Sequence, residues 1–402
     1  MAYLVAVTAD GGLPLFVRAR DGSDSLPFSV IASLNGVHMY AEDRGATLKS
    51  TTAGGKRVVW RTFHDSLTLI MIDVDETTGT EHHMFNLLDL CFSALVLYLG
   101  IGKLSDIRNT DRLKKEMKCA YALLDGLCNF HQSLALNGHV TGLSDVIVGP
   151  NTTILQTYLD GFADRLDTNY GCVLIGGKVC AATEKWWQLS CKEAVLLSCL
   201  VNSHQFESTV DIPVFLPVAS PKLSHRLLVF RFKEDVFICA LCGPEHDLQQ
   251  VENEIIPQYW NPASDCLDFI LQDKDRGLPD TVQLDAGILA FIYLCFDLNR
   301  SLSSFQIDSK TDPRLPLERR QRVLLQYYLT TQRELISKEG VTGNFALVHP
   351  VCESYLCADD YKSYCLLAGK RQLFLLYSHT VPTFALRDVA HQTIQILDKA
   401  VA

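Results

Sequence analysis

Apolar positions along this chain fall into short runs, and the runs recur in one order three times. The first segment opens with apolar residues 3–7, a glycine-rich turn at 10–12 and a second apolar run at 14–18, which predicts a β-hairpin. Residues 26–34 read as a helix, entered through Pro27 and stopped by Asn35-Gly36. Residues 37–41, 57–63 and 67–74 read as strands. In the second of these, Val59, Arg61 and Phe63 alternate with Trp60 and Thr62. Two helices follow. Residues 81–99 are apolar at Phe85, Leu88, Cys91, Phe92, Leu95 and Tyr98, and residues 110–127 place Leu113, Met117, Tyr121 and Leu124 on one face.

The second segment starts with a helix at 153–166 and then repeats the scheme. Residues 170–176 and 179–187 form a hairpin, 193–201 a helix, 213–218, 226–232 and 236–242 three strands, and 247–273 a helix interrupted near Pro257 and Pro262. The third gives a hairpin at 287–298 and 302–307, a basic helix at 317–337, strands at 345–356, 363–368 and 372–378, and a closing helix at 382–401. Each segment has the order ββ-α-βββ-α. Five antiparallel strands sandwiched by helices make an α/β (α+β) domain, so the fold class is three tandem domains of this kind. Their boundaries are 1–130, 151–273 and 282–402, with linkers at 131–150 and 274–281 where glycine and proline replace periodicity.

Composition narrows the function. Apolar residues make up 48% and charged residues 20%, enough apolar surface to offset chain entropy. The net charge of −10, from 36 basic and 46 acidic residues, disfavours nucleic acid as a partner. Most of the 14 cysteines sit inside apolar runs, as small hydrophobes do, and residues 1–10 carry no basic leader, so a reducing, cytoplasmic setting is expected. The best bilayer candidate, 90–102, is shorter than the ~20 apolar residues a span requires.

The familiar chemical motifs are absent or weak. None of Gly55-Lys56, Gly177-Lys178 and Gly369-Lys370 completes a P-loop, and there is no G-x-S-x-G or H-E-x-x-H. Cys239-x-x-Cys242 lacks a second pair, and adjacent His82 and His83 cannot share one helix face, so no metal is expected. His64-Asp65 reads as a hairpin turn and not as a catalytic pair. Of Trp186 and Trp187, one is expected in the core and one outward. Two basic clusters remain: Arg108, Arg112, Lys114, Lys115 and Lys118, and Arg314, Arg319, Arg320 and Arg322. Each reads as a solvated helix face or as a patch for acidic lipid or an acidic partner. No catalytic residue and no cofactor is expected.

Several stretches carry a resemblance. They are Leu26-Pro-Phe-Ser-Val-Ile-Ala-Ser-Leu-Asn-Gly-Val-His-Met39, Val58-Val-Trp-Arg-Thr-Phe-His-Asp-Ser66, Ile107-Arg-Asn109 with Arg112-Leu-Lys-Lys115, Ala181-Ala-Thr-Glu184 with Trp186-Trp187, and His225-Arg-Leu-Leu228 with Leu241-Cys-Gly-Pro244. Through them the chain resembles the Fuzzy family of planar-cell-polarity effectors. The resemblance implies three longin or roadblock-like domains. It also implies a heterodimer with Inturned, similar to the Mon–Ccz exchange factor, that promotes nucleotide exchange on a cilia-linked Rab GTPase. A WD-repeat partner, Fritz, and a Rab-like small GTPase would join the same CPLANE assembly at the ciliary base and basal body, in contact with the cytoskeleton. A scaffold that recruits transport machinery is the alternative. In such pairs the first helix and the strand after it pack against the partner, here residues 28–34 and 37–40, with Val30, Ile31, Leu34, Val37, Met39 and Tyr40 as the pairing residues.

Overall fold

A computed structural model describes residues 3–19, 26–73, 80–128, 138–150, 152–204, 209–243, 247–307, 314–333 and 351–401. The chain divides into two compact units: residues 1–133 with Pro213–His225, and Leu134–Ile212 with Arg226–Ala402.

In the first unit, β1 (Tyr3–Thr8), β2 (Pro14–Ala19), α1 (Phe28–Asp43), β3 (Ser50–Ala53), β4 (Lys56–Phe63) and β5 (Leu67–Asp73) precede α2 (Glu81–Leu99). The helices α3 (Ile101–Ser105), α4 (Thr110–Glu116) and α5 (Tyr121–Cys128) follow. The antiparallel sheet runs β2-β1-β5-β4-β3. Side chains alternate across it. Val5, Ile70 and Trp60 stand opposite one another and, with Val7, Val58 and Ile72, form a core closed by Ile31 of α1. On the other face, Phe63 stacks on Phe92 of α2 at 4.1 Å, and Arg61 pairs with Asp89 at 2.8 Å. By length and composition α2 could cross a membrane, but its most apolar stretch is 72% buried inside the domain, as a core helix is.

One expected strand is not there. Residues 37–41 continue α1, which runs unbroken from Phe28 to Asp43 through Asn35-Gly36. A glycine inside a helix costs about 1 kcal/mol. Ile31 in the core and His38, buried and stacked over Trp60, outweigh that local cost. The fifth strand is instead β3, a polar edge strand with no apolar alternation to announce it.

The second unit begins with α6 (Gly138–Thr141), β6 (Ser144–Asp145) and α7 (Thr152–Arg165). Next come β7 (Tyr170–Ile175), β8 (Lys178–Ala182), α8 (Glu184–Trp187) and α9 (Cys191–Ser203). The strands β9 (Val210–Leu216), β10 (Ser220–Lys233) and β11 (Val236–Cys242) complete an antiparallel sheet in the order β8-β7-β11-β10-β9. The expected strand 179–187 stops at Ala182, and its end coils into α8. Then α10 (Leu248–Gln250) leads through a π-helical turn into α11 (Ile256–Trp260), with α12 (Ser264–Gln272) beyond. Phe162 of α7, Trp260 of α11 and Ile270 of α12 share a core with Val173, Phe230 and Ile238 of the sheet.

The last sheet contains β12 (Ile288–Cys295), β13 (Arg300–Ser304), β14 (Val351–Cys357), β15 (Tyr361–Ala368) and β16 (Arg371–Ser378). Its order is β14-β15-β16-β12-β13-β6. Helix α13 (Leu317–Thr331) packs Tyr328 on Phe374 at 4.9 Å. The opposite face holds α14 (Leu386–Val401), to which Tyr377 donates through the Leu386 carbonyl at 3.1 Å. Residues 334–337 of the expected helix and 345–350 of the expected strand lie outside the described residues.

Within the stretch that reads as the first linker, residues 144–148 stitch two sheets. On one side the amides of Ser144 and Val146 donate to Asn299 and Ser301 beside β13. On the other, Ile147 donates to Val179 of β8 at 3.0 Å. Both edge strands are thereby covered, which removes two sites for unwanted pairing. Asp145 anchors the stitch: its buried carboxylate accepts from the Gly138 amide and from the Ser301 hydroxyl, each at 2.7 Å.

Candidate pairing surface

A helix that faces water normally carries charge on its outer side. From Phe28 to Ala41, α1 carries no Asp, Glu, Lys or Arg. Its inward stripe is narrow, with Ile31 and His38 buried and Leu34 half-buried against the same core. Outside that stripe Phe28 is 68% exposed, Tyr40 62% and Val37 54%, and Val30 and Met39 are exposed as well. The exposed Ala32, Ser33 and Gly36 leave shallow ground between these side chains. Ser33 donates its hydroxyl to the Ser29 carbonyl at 2.8 Å, which turns a polar group inward to the helix backbone. Arg44 caps the patch, its guanidinium 5.1 Å from the Tyr40 ring.

Of the expected pairing residues, Val30, Val37, Met39 and Tyr40 therefore stand on an open apolar face, and Leu34 is divided between face and core. Ile31 does not belong with them. It is 5% exposed and holds α1 to its own sheet, so it is a core residue.

The chain is similar to known proteins along nearly its whole length. The first, second and third longin domains of FUZ, MON1 and HPS1 match residues 2–127, 166–257 and 287–401 in turn. The Protein fuzzy homolog of Xenopus tropicalis is 37% identical over 412 residues, covering 99% of this chain and 98% of the relative. Those of Mus musculus and Homo sapiens are 36% and 35% identical, each covering 98% of this chain and 97% of the relative. The chain belongs to the Fuzzy family.

In this Fuzzy-family chain the helix-borne basic cluster is partly neutralised. Arg108 pairs with Asp106 at 2.7 Å, Arg112 with Glu116 at 2.8 Å, and Lys114 approaches Asp111 at 4.0 Å. Hydrogen bonds from Lys103 and Arg112 hold the Glu116 carboxyl below the usual carboxylate range. Lys115 and Lys118 are exposed and make no ion pair among the described residues. In the second cluster two arginines are engaged within the fold, while Arg314 and Arg322 are exposed. Arg319 pairs with Asp360 at 2.9 Å, and buried Arg320 donates to the Leu315 carbonyl at 2.8 Å.

His64 and Asp65 both have positive φ, 51° and 49°, and form the tight turn between β4 and β5. His82 is exposed and His83 buried, facing apart as adjacent helical residues do. Cys239 and Cys242 are buried free thiols, and burial pushes that of Cys242 up to about 11. Among the described residues, no three His, Cys, Asp or Glu side chains come together as metal ligands. Trp186 lies in the core, while Trp187 is half-buried beneath the Arg300 guanidinium at 4.3 Å. Sequence reasoning passed over Arg300 and Asp145, because neither sits in a motif and each acquires its surroundings from residues over a hundred positions away.

Proposed function

We propose that this chain is a non-enzymatic subunit that pairs, through the outer face of α1, with the first longin-like domain of an Inturned-type partner. The observation that carries the reading is the charge-free stretch from Phe28 to Ala41, with Val37 and Tyr40 open and Ile31 inward. Two such faces brought together would remove apolar surface from water at about 25 cal/mol per Å². The pair then promotes nucleotide exchange on a Rab GTPase that serves ciliogenesis and planar polarity. Exchange breaks no bond; it requires only that the pair bind the nucleotide-free conformer better than the loaded one. Fritz and a Rab-like GTPase join the same assembly at the basal body, and Lys115 and Lys118 supply a contact to an anionic membrane or acidic partner.

Co-expression with Inturned, followed by release of mant-GDP from a panel of ciliary Rab GTPases, tests this. Release accelerated by the pair, and abolished by Val37→Asp with Tyr40→Asp, supports it. A stable pair that accelerates no GTPase replaces it with the scaffold reading. A pair that forms despite both aspartates refutes the α1 surface.

A further inference from the structure

A cleft of about 320 Å³ opens in the second unit, where β8, the start of α7 and the end of α14 meet. Val146, Val179 and Ala181 form an apolar wall, Thr152 and Thr153 of α7 supply hydroxyls, and Gln156 lines the cleft while its Nε2 donates to Asp160 at 2.9 Å. Among the described residues no Asp or Glu lines it, although acidic residues outnumber basic ones in this chain.

Among the described lining residues one carries a charged side chain, Arg300. Its guanidinium lies over the Trp187 ring at 4.3 Å, and Nη1 donates to the Val401 carbonyl at 2.7 Å. Capping the end of α14 in this way uses one of five N–H groups. Nε is buried without an acceptor, and no carboxylate among the described residues pairs with the guanidinium. Three other half-buried arginines do meet carboxylates: Arg18 meets Asp125, Arg226 meets Asp211, and Arg371 meets Asp297 and Asp398. A half-buried cation whose Nε is shut off from water gains most from an oxyanion that presents two coplanar oxygens to its edge. The N-terminus of the 14-residue α7 adds favourable potential on the same side. The volume is near the lower end for small-molecule sites, roughly 300 Å³.

We propose that this cleft binds a small organic anion. Its carboxylate or phosphate group is seated against Arg300, and its short apolar body lies along Trp187 and the aliphatic wall. The site is separate from the α1 face and does not depend on the pairing reading.

Binding to the full-length chain is measured by thermal shift and tryptophan fluorescence with phenyl phosphate, benzoate and neutral phenol. At least one anion is expected to raise the unfolding midpoint and to perturb Trp187 emission, assigned by its loss in Trp187→Phe, while phenol does neither. Whichever anion binds tighter tells a phosphate ester from a carboxylate. Arg300→Lys, which keeps the charge but not the flat fork, is expected to weaken binding roughly tenfold. Because Arg300 also caps α14, Gln156→Glu provides a variant that leaves that cap intact. It places a carboxylate in the cleft and is expected to weaken binding by roughly tenfold or more. No effect of either anion on the wild-type chain overturns the proposal. So does binding that is unchanged in Gln156→Glu.

Discussion

Ser301 donates its hydroxyl to the carboxylate of Asp145 at 2.7 Å across 156 residues of chain, and both side chains are buried. The second oxygen of Asp145 accepts the Gly138 amide. A segment without sequence periodicity is thereby fixed between two sheets. Buried Lys178 senses the same carboxylate: burial lowers its pKa, and the charge of Asp145 opposes that shift.

Asp145→Ala leaves a buried amide and a buried hydroxyl without their acceptor, at about 1–3 kcal/mol for each such group. The second unit is expected to lose about 2–4 kcal/mol in urea unfolding. Amide exchange at Val146 and Ile147 is expected to accelerate. Unchanged protection at those amides would show that the backbone pairing of residues 144–148 suffices without the carboxylate.

Position along α1 decides the effect of a charge. Ile31→Asp puts a carboxylate in the core, and Ile31→Ala is expected to cost about 2–4 kcal/mol through the cavity it leaves. Val37→Asp, on the open face, is expected to change stability by no more than about 0.5 kcal/mol. Circular dichroism melts of the two variants measure the contrast. A Val37→Asp variant as unstable as Ile31→Ala would mean that the outer face is packed against this chain itself.

His139 gives the second unit an acid-sensitive element. Burial lowers its pKa from 6.5 to about 4. Above pH 6.5 both folded and unfolded states hold the ring neutral, and the stability is fully present. As pH falls from 6.5 toward 4 the unfolded chain takes up a proton that the folded chain refuses, so stability declines by about 3 kcal/mol at most. Urea midpoints across this range are expected to fall in the wild type and to flatten in His139→Leu. An equal slope in both would assign the acid sensitivity elsewhere.

Thiol reactivity is expected to follow burial. Cys119 and Cys357 are exposed, whereas Cys172 and Cys239 sit directly opposite each other on β7 and β11, fully buried. Burial raises both of these buried thiols far above the usual range. Brief alkylation of the native chain, read by mass spectrometry, is expected to mark Cys119 and Cys357 and to spare the buried pair until denaturant is added. Early labelling of Cys172 or Cys239 would reveal opening of the second unit's sheet.

Much of the fold is written locally. Hairpins at glycine-rich turns, the apolar period of α2 and the alternation in β4 each follow from side chains a few positions apart, because a strand or helix exposes its pattern along its own length. The order ββ-α-βββ-α is legible for that reason, although in the first segment the strand expected after the helix at 37–41 lies at Ser50–Ala53. That these units are longin domains comes from the family resemblance, and the three domain matches agree. Specific stretches such as residues 26–39 and 58–66 pointed to the Fuzzy family, and the full-length relatives agree.

What the tertiary structure alone decided concerns residues whose local signals mislead or are silent. Asn35-Gly36 signals a stop, yet α1 runs on because His38 finds Trp60 on the sheet below it. Ile31 and Val37 are equally apolar in the sequence. One meets Val5 and Ile70, the other meets water, and only packing against a sheet tells them apart. Asp145 and Arg300 look like ordinary surface charges until the chain folds. The first is then buried against Ser301, and the second is placed over Trp187 with no carboxylate among the described residues to meet it. Local propensities depend on a few neighbouring residues; burial and charge pairing depend on contacts closed across the whole chain.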